Sequence, residues 1–138
     1  MGLMTDDVPS FTLLRSVAPW LSVADGSAAL TFYKRAFGVR VLRRLEDRSG
    51  RVGFAQLRVG ATEFWLQENR DARPDPCHAQ IHMTLTADDP DSLFSQAIAA
   101  GATELEPISD ARGWRCGRLA DPFGHLWEVG ERPATPRP

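Results

Sequence analysis

The sequence predicts an α+β fold made of two tandem β-α-β-β-β modules that form a curved mixed sheet around a cavity. Three observations lead there. The order of apolar patterns, strand then helix then three strands, occurs twice along the 138 residues. A slide of 63 residues superposes Asp25 on Asp88, Leu30 on Leu93, Ala36 on Ala99 and Gly38 on Gly101. Between the copies lies NRDARPDPCHA (69–79), a polar stretch with Pro74 and Pro76 and no period, which reads as a linker. One domain is therefore expected, with modules at 17–68 and 80–130, loose residues at 1–10 and a tail at 131–138.

The first module opens with the apolar strand VAPWLSV (17–23). Asp25 or Ser27 can cap the helix that follows. Leu30, Tyr33 and Phe37, with Ala29 and Ala36, recur on one side of it, and Gly38 ends it. Three strands come next, at 39–46, 51–59 and 62–68. Their connections, DRSG and Gly60-Ala61, are short enough for antiparallel hairpins. In the second module QIHMTLTA (80–87) is the first strand. Asp89 can cap and Pro90 suits the first helical position. Leu93, Phe94, Ala97 and Ile98 make the apolar face, and Gly101 closes the helix. TELEPI, WRCGRLA and HLWEVG supply the remaining strands. Each sheet would have one face covered by its helix, leaving two concave faces for a cavity.

Composition narrows the function classes. A chain that is 43% hydrophobic and 25% charged is ordinary for a globular protein. A net charge of −2 gives no basic face for nucleic acid. No apolar run reaches the length of a membrane span, and MGLMTDDVPS lacks the pattern of a signal peptide, so a cytoplasmic protein is expected. Cys77 and Cys116 form neither a CxxC pair nor a dense framework, and are read as reduced thiols. The absence of GxGxxG, GxxxxGK[ST] and GxSxG disfavours nucleotide-driven chemistry and serine hydrolysis.

One residue stands out. In DPFGHLWEVG (121–130) Glu128 interrupts a strand otherwise built to be buried, and a carboxylate there needs compensation. His82, likewise polar among apolar neighbours, is the candidate partner. His125 and Trp127 fall on the face opposite Glu128, so His125 suits a turn or packing role, and His78 lies in the linker. Trp114, in RGWRCGR between Gly113 and Gly117, is a candidate lid or rim contact. Arg112, Arg115 and Arg118 around it could grip a carboxylate or phosphate, although a solvated strand edge accounts for them as well.

The stretches FYKRAFG (32–38), DSLFSQAIAAGA (91–102) and GWRCGRLADPFGHLWE (113–128), set in paired β-α-β-β-β units, resemble the vicinal oxygen chelate superfamily. That group includes glyoxalase I, bleomycin-resistance proteins, fosfomycin-resistance enzymes and extradiol dioxygenases, and the likeness is to its small bacterial glyoxalase-like members. In metal-dependent members the first and last strands of each module supply one ligand each. The resemblance puts His82 and Glu128 at those places in the second module. In the first it offers Ala18 or Pro19, which cannot bind a metal, and then Gln67 or Glu68. Glu68 is preferred because it shares a face with Phe64 and Leu66. The implied metal set is thus His82, Glu128 and Glu68, for Mg, Mn, Fe, Ni or Zn. Glu128 or Glu68 would be the catalytic base, and Trp114, Arg115, Trp20 and Phe64 would contact substrate.

Three functions follow from the resemblance. A metal-dependent lyase or isomerase would chelate neighbouring oxygens of a small substrate and move a proton. A bleomycin-resistance type of protein would bind a planar drug between aromatics without chemistry. An Fe(II) dioxygenase would need two histidines and a carboxylate, which the missing first-strand histidine opposes. The resemblance also implies a homodimer with cavities at or near the subunit interface.

Overall fold

The computed structural model describes residues 15–111 and 113–132. The two expected modules are both present. In the first, β1 (Trp20–Val23) leads through α1 (Gly26–Phe37) to β2 (Arg40–Glu46), β3 (Val52–Val59) and β4 (Thr62–Glu68). In the second, β5 (Met83–Ala87), α2 (Pro90–Ala100), β6 (Thr103–Ala111), β7 (Trp114–Ala120) and β8 (Leu126–Glu131) follow the same plan. The linker carries only a short 3-10 turn, Pro76–His78. Its His78 is exposed and bonded to Asp75. Glu131, expected in the tail, ends β8 and accepts the Arg115 N–H at 3.0 Å. The sheets run β1-β4-β3-β2 and β5-β8-β7-β6, each with its first strand parallel to its last.

Local chemistry sets the helix ends. Of the two cap candidates, Asp25 takes the position, accepting from Ala28 N at 2.9 Å. Gly38 closes α1 in a left-handed conformation (φ 67) and returns its N–H to Lys34 O. In α2 the cap is Asp89, with Pro90 behind it. Asp89 lies 64 residues after Asp25, whereas Gly101 lies 63 after Gly38, so the second helix is one residue shorter than the first.

The helices pack against each other, and the helix-covered faces of both sheets share one core. Leu21, Val23, Leu57, Phe64 and Leu66 come from the first sheet; Leu119, Trp127 and Val129 come from the second. Burial of this apolar surface is the main stabilising term. At its centre Trp127 meets Tyr33, Phe37 and Phe64 at ring separations of 4.6 to 5.8 Å. The other face of each sheet points outward, so the sheets are curved and open rather than closed.

One polar node crosses this core. Asp121, 4% exposed, accepts from Tyr33 Oη at 2.5 Å and Trp127 Nε1 at 2.9 Å, and from the backbone N–H of Phe123 and His125. It thereby ties α1 of the first module to the β7–β8 turn of the second. Burial, with the Asp121 charge beside it, holds the Tyr33 hydroxyl well above its ordinary pKa of 10.0.

Removing the carboxylate leaves several buried donors without an acceptor. Asp121→Ala should cost ~3–5 kcal/mol in urea unfolding, and Tyr33→Phe about 1–3 kcal/mol. Because the folded phenol binds its proton more tightly than the unfolded one, its contribution is complete below pH 10 and lost as pH rises beyond. Tyr33 is the only tyrosine. Phenolate absorbance should therefore appear together with alkaline unfolding and not before it.

Candidate functional site

The two outward faces carry corresponding residues with different chemistry. In the second module Glu128 pairs in register with Thr84 on β5 and Arg118 on β7. His82 lies two residues before Thr84, on the same face by alternation. Its Nε2 is 3.8 Å from Glu128 Oε1, while Arg118 Nε is 3.4 Å from Oε2. Arg118 also lies 3.9 Å from Glu106. The buried carboxylate is thus compensated from two sides, by the expected His82 and by Arg118.

In the first module the same register places Gln67 opposite Ser22 and Phe54. Trp20, two residues before Ser22, donates its Nε1–H to Gln67 Oε1 at 3.3 Å. Trp20, Gln67 and Phe54 therefore correspond to His82, Glu128 and Arg118. The position expected at Ala18 or Pro19 belongs to Trp20. Trp65 joins this face, and Trp20, Phe54 and Trp65 form an aromatic cluster with ring separations of 5.5 to 6.0 Å. Trp20 is 47% and Trp65 37% exposed. Beside them Glu63 joins Gln56 (2.7 Å) and Arg58 (3.1 Å). The buried Nε–H of Arg58 has no acceptor among the described residues.

Glu68 does not join His82 and Glu128. It does share a face with Phe64 and Leu66, but that is the helix-covered face. There its carboxylate accepts from Gly26 N at the start of α1 (3.0 Å) and pairs with Arg51. Both partners favour the charged form and lower its pKa. Its role is to anchor the helix. Stability from this group is present above the ordinary glutamate pKa and lost on acidification through the depressed one. Glu68→Gln should therefore destabilise at neutral pH and progressively less in acid, as read by thermal unfolding across pH.

The other expected contacts divide. Phe64 is 3% exposed and packs on Tyr33 and Trp127 in the core. Arg115 turns toward α2, bidentate to Asp91 at 2.7 and 2.8 Å, with Asp110 at 3.4 Å. Arg112 lies outside the described residues. Trp114 begins β7 rather than sitting in a loop, and its ring lies against Gly130 on the Glu128 face. A Cβ on Gly130 would collide with that ring. His125 takes the packing role expected of it, bonding Ser22 O at 2.8 Å. Cys77 and Cys116 are not joined in a disulfide.

A catalytic metal ordinarily takes three protein ligands and keeps an open position. Here one face offers a histidine and a carboxylate, the latter also engaged by a guanidinium, and the corresponding places on the other face hold Trp20, Phe54 and an amide. Among the described residues no three His, Cys, Asp or Glu side chains converge. The donor set does not fit a metal held by one chain. The seat of Trp114 is testable directly: Gly130→Val should displace the ring, increasing acrylamide quenching of Trp114 in a variant that retains only that tryptophan.

Comparison with known proteins agrees with the architecture. A family described as a glyoxalase-like domain matches residues 20–130. The uncharacterized protein Rv0887c of Mycobacterium tuberculosis is 32% identical over 139 residues, covering 91% of this chain and 79% of that one. Among solved structures, Zea mays glyoxalase I is similar at a TM-score of 0.71 and 21% identity, over 90% of this chain and 47% of that one. TioX from Micromonospora sp. ML1 is similar at a TM-score of 0.66 and 24% identity, over 89% of this chain and all of that one. At these identities the two structures speak to the fold. No described helix is long and apolar enough to cross a membrane.

Proposed function

The chain belongs to the glyoxalase-like domain family, within the vicinal oxygen chelate superfamily, and on that premise we propose that it is a small-molecule binding protein whose ligand is planar and aromatic, with no metal in its site. The observation that carries this reading is the cluster of Trp20, Phe54 and Trp65 on the uncovered face of the first sheet. Solvent-exposed aromatics of this density are costly unless something stacks on them. Pockets for small molecules combine such walls with a few placed polar groups. Gln67, Glu63 and the Nε–H of Arg58 supply these at its side.

The ligand is completed across two copies in this reading. The two outward faces of one chain lie on opposite sides of the shared core, so they cannot close on each other. A homodimer can set the aromatic face of one protomer over the face of its partner that carries His82, Arg118 and Glu128. The first would supply stacking, the second a hydrogen-bonding pole. Metal-dependent lyase or isomerase chemistry, common in this superfamily, is the reading that the Trp20 and Gln67 positions disfavour. An Fe(II) dioxygenase is disfavoured for the same reason.

Light scattering should return twice the 15.3 kDa chain mass at micromolar concentration; a monomer at that concentration contradicts the composite site. Tryptophan fluorescence titrated with a panel of fused-ring aromatic compounds should find a saturable quencher. Trp20→Ala and Trp65→Ala should each weaken it by about tenfold, the magnitude of one lost stacking contact. Binding unaffected by both substitutions would place the ligand elsewhere.

A further inference from the structure

Strand register lays out the uncovered face of the first sheet as a grid. One cross-strand row reads Trp20, Trp65, Gln56 and Arg43, from β1 across to β2. The row on one side of it reads Ser22, Gln67, Phe54 and Leu45, and the row on the other side Glu63, Arg58 and Arg40. Aromatic rings therefore occupy one part of the face, and guanidinium groups gather at the corner made by β2 and β3. Neighbouring strands are about 4.8 Å apart, so Arg43 stands about 10 Å from Trp65, and Arg58 lies one step of about 7 Å along β3 from Gln56. Charges meet differently in the two modules. Across β6 and β7 opposite signs face each other, Glu106 against Arg118 and Asp110 against Arg115. Across β2 and β3 Arg40 stands opposite Arg58, and like charges in that position repel. Glu63 pairs with Arg58 at 3.1 Å, while Glu46 is taken by Arg44 at 3.0 Å. Among the described residues no carboxylate pairs with Arg40 or Arg43, both of which are exposed. Arg58 keeps donors beyond the one it gives Glu63.

We infer that the ligand of this face is a planar aromatic acid, its ring over Trp20 and Trp65 and its oxyanion held by Arg43 and Arg58. The inference rests on the stacking face proposed above and adds the charge of what that face binds. An oxyanion at the arginine corner relieves the repulsion between Arg40 and Arg58. It also accepts from forked guanidinium donors, which suit carboxylate, sulfonate and phosphate alike. Ring and charge are then separated by about the width of one strand, a spacing that a fused-ring acid meets. Gln56 lies between them with its amide already given to Glu63 at 2.7 Å, so the acid is left to the arginines. A neutral aromatic would leave the excess positive charge uncompensated, and a cationic one would add to it.

Calorimetric titration of the full chain with matched naphthalene probes tests this. 2-Naphthoate, naphthalene-2-sulfonate and 2-naphthyl phosphate carry the ring and an oxyanion, 2-naphthamide carries the ring without charge, and 2-naphthylmethylammonium reverses the charge. At least one acid should bind about tenfold more tightly than the amide, and the tightest of the three identifies the oxyanion. The cation should bind most weakly, and the preference for acid should shrink as salt is raised. Arg43→Gln and Arg58→Gln should each erase most of that preference while affinity for the amide is kept, which separates charge recognition from a loss of folding. Glu63→Gln removes the competing carboxylate and should tighten the acids, a gain that misfolding cannot produce. Equal affinity for amide and acids, or a preference that survives both arginine variants, would overturn the inference and leave the stacking face standing. Failure of every naphthalene probe to bind would remove the stacking reading and this inference with it. Cyclohexanecarboxylate bound as tightly as 2-naphthoate would show an anion site without stacking and would overturn the aromatic acid.

Discussion

The carboxylate of Asp121 is the point on which the arrangement of this molecule depends. It is buried at the junction of the modules and fully occupied by donors from α1, from the β7–β8 turn and from Trp127. A buried acceptor with this many partners is satisfied only if the helix-covered faces of both sheets meet around it. Once they do, the geometry of everything else is constrained. The aromatic core closes around Tyr33 and Trp127, and the two uncovered faces must point outward. The same turn that carries Asp121 also carries His125, which bonds the outer edge of β1 at Ser22 O.

The outward faces show what duplication followed by divergence has done to a common frame. Each module keeps a residue at or just before the start of its first strand, one on its last strand and one on its third strand in contact across the open face. In the second module these are His82, Glu128 and Arg118, with the carboxylate flanked by an imidazole at 3.8 Å and a guanidinium at 3.4 Å. In the first they are Trp20, Gln67 and Phe54, an apolar surface with one amide. A symmetric frame thus presents one face suited to stacking and one suited to polar contact. Among the described residues neither face brings together the three donors that a catalytic metal ordinarily takes.

Much of this was legible in the sequence, and the failures have physical causes. The module order, both helix ends and the pairing of His82 with Glu128 were readable because each depends on residue type at short range. Glu68 was correctly placed on the face of Phe64 and Leu66. What the letters do not say is that this face lies beneath the helix, where a carboxylate serves the α1 N-terminus and Arg51. The error between Gln67 and Glu68 is the one-residue ambiguity inherent in strands. Trp20 was hidden for a related reason. Its equivalence to His82 appears only through the parallel pairing of β1 with β4, a long-range register. Among the arginines, Arg115 and Arg118 were separable once Trp114 is taken as the first residue of β7, since alternation then sends Arg115 toward α2 and Arg118 toward Glu128.

The proposed function rests on His82, Glu128 and Arg118 serving as a polar face for an organic ligand rather than as a metal site. Elemental analysis of protein purified without a histidine tag, followed by calorimetric titration with Mn, Ni and Zn salts near neutral pH, tests this most directly. The account predicts metal well below one equivalent per chain, and no saturable binding that Glu128→Gln abolishes. One tightly held equivalent per chain, lost together with Glu128, would contradict it and restore a metal-dependent enzyme.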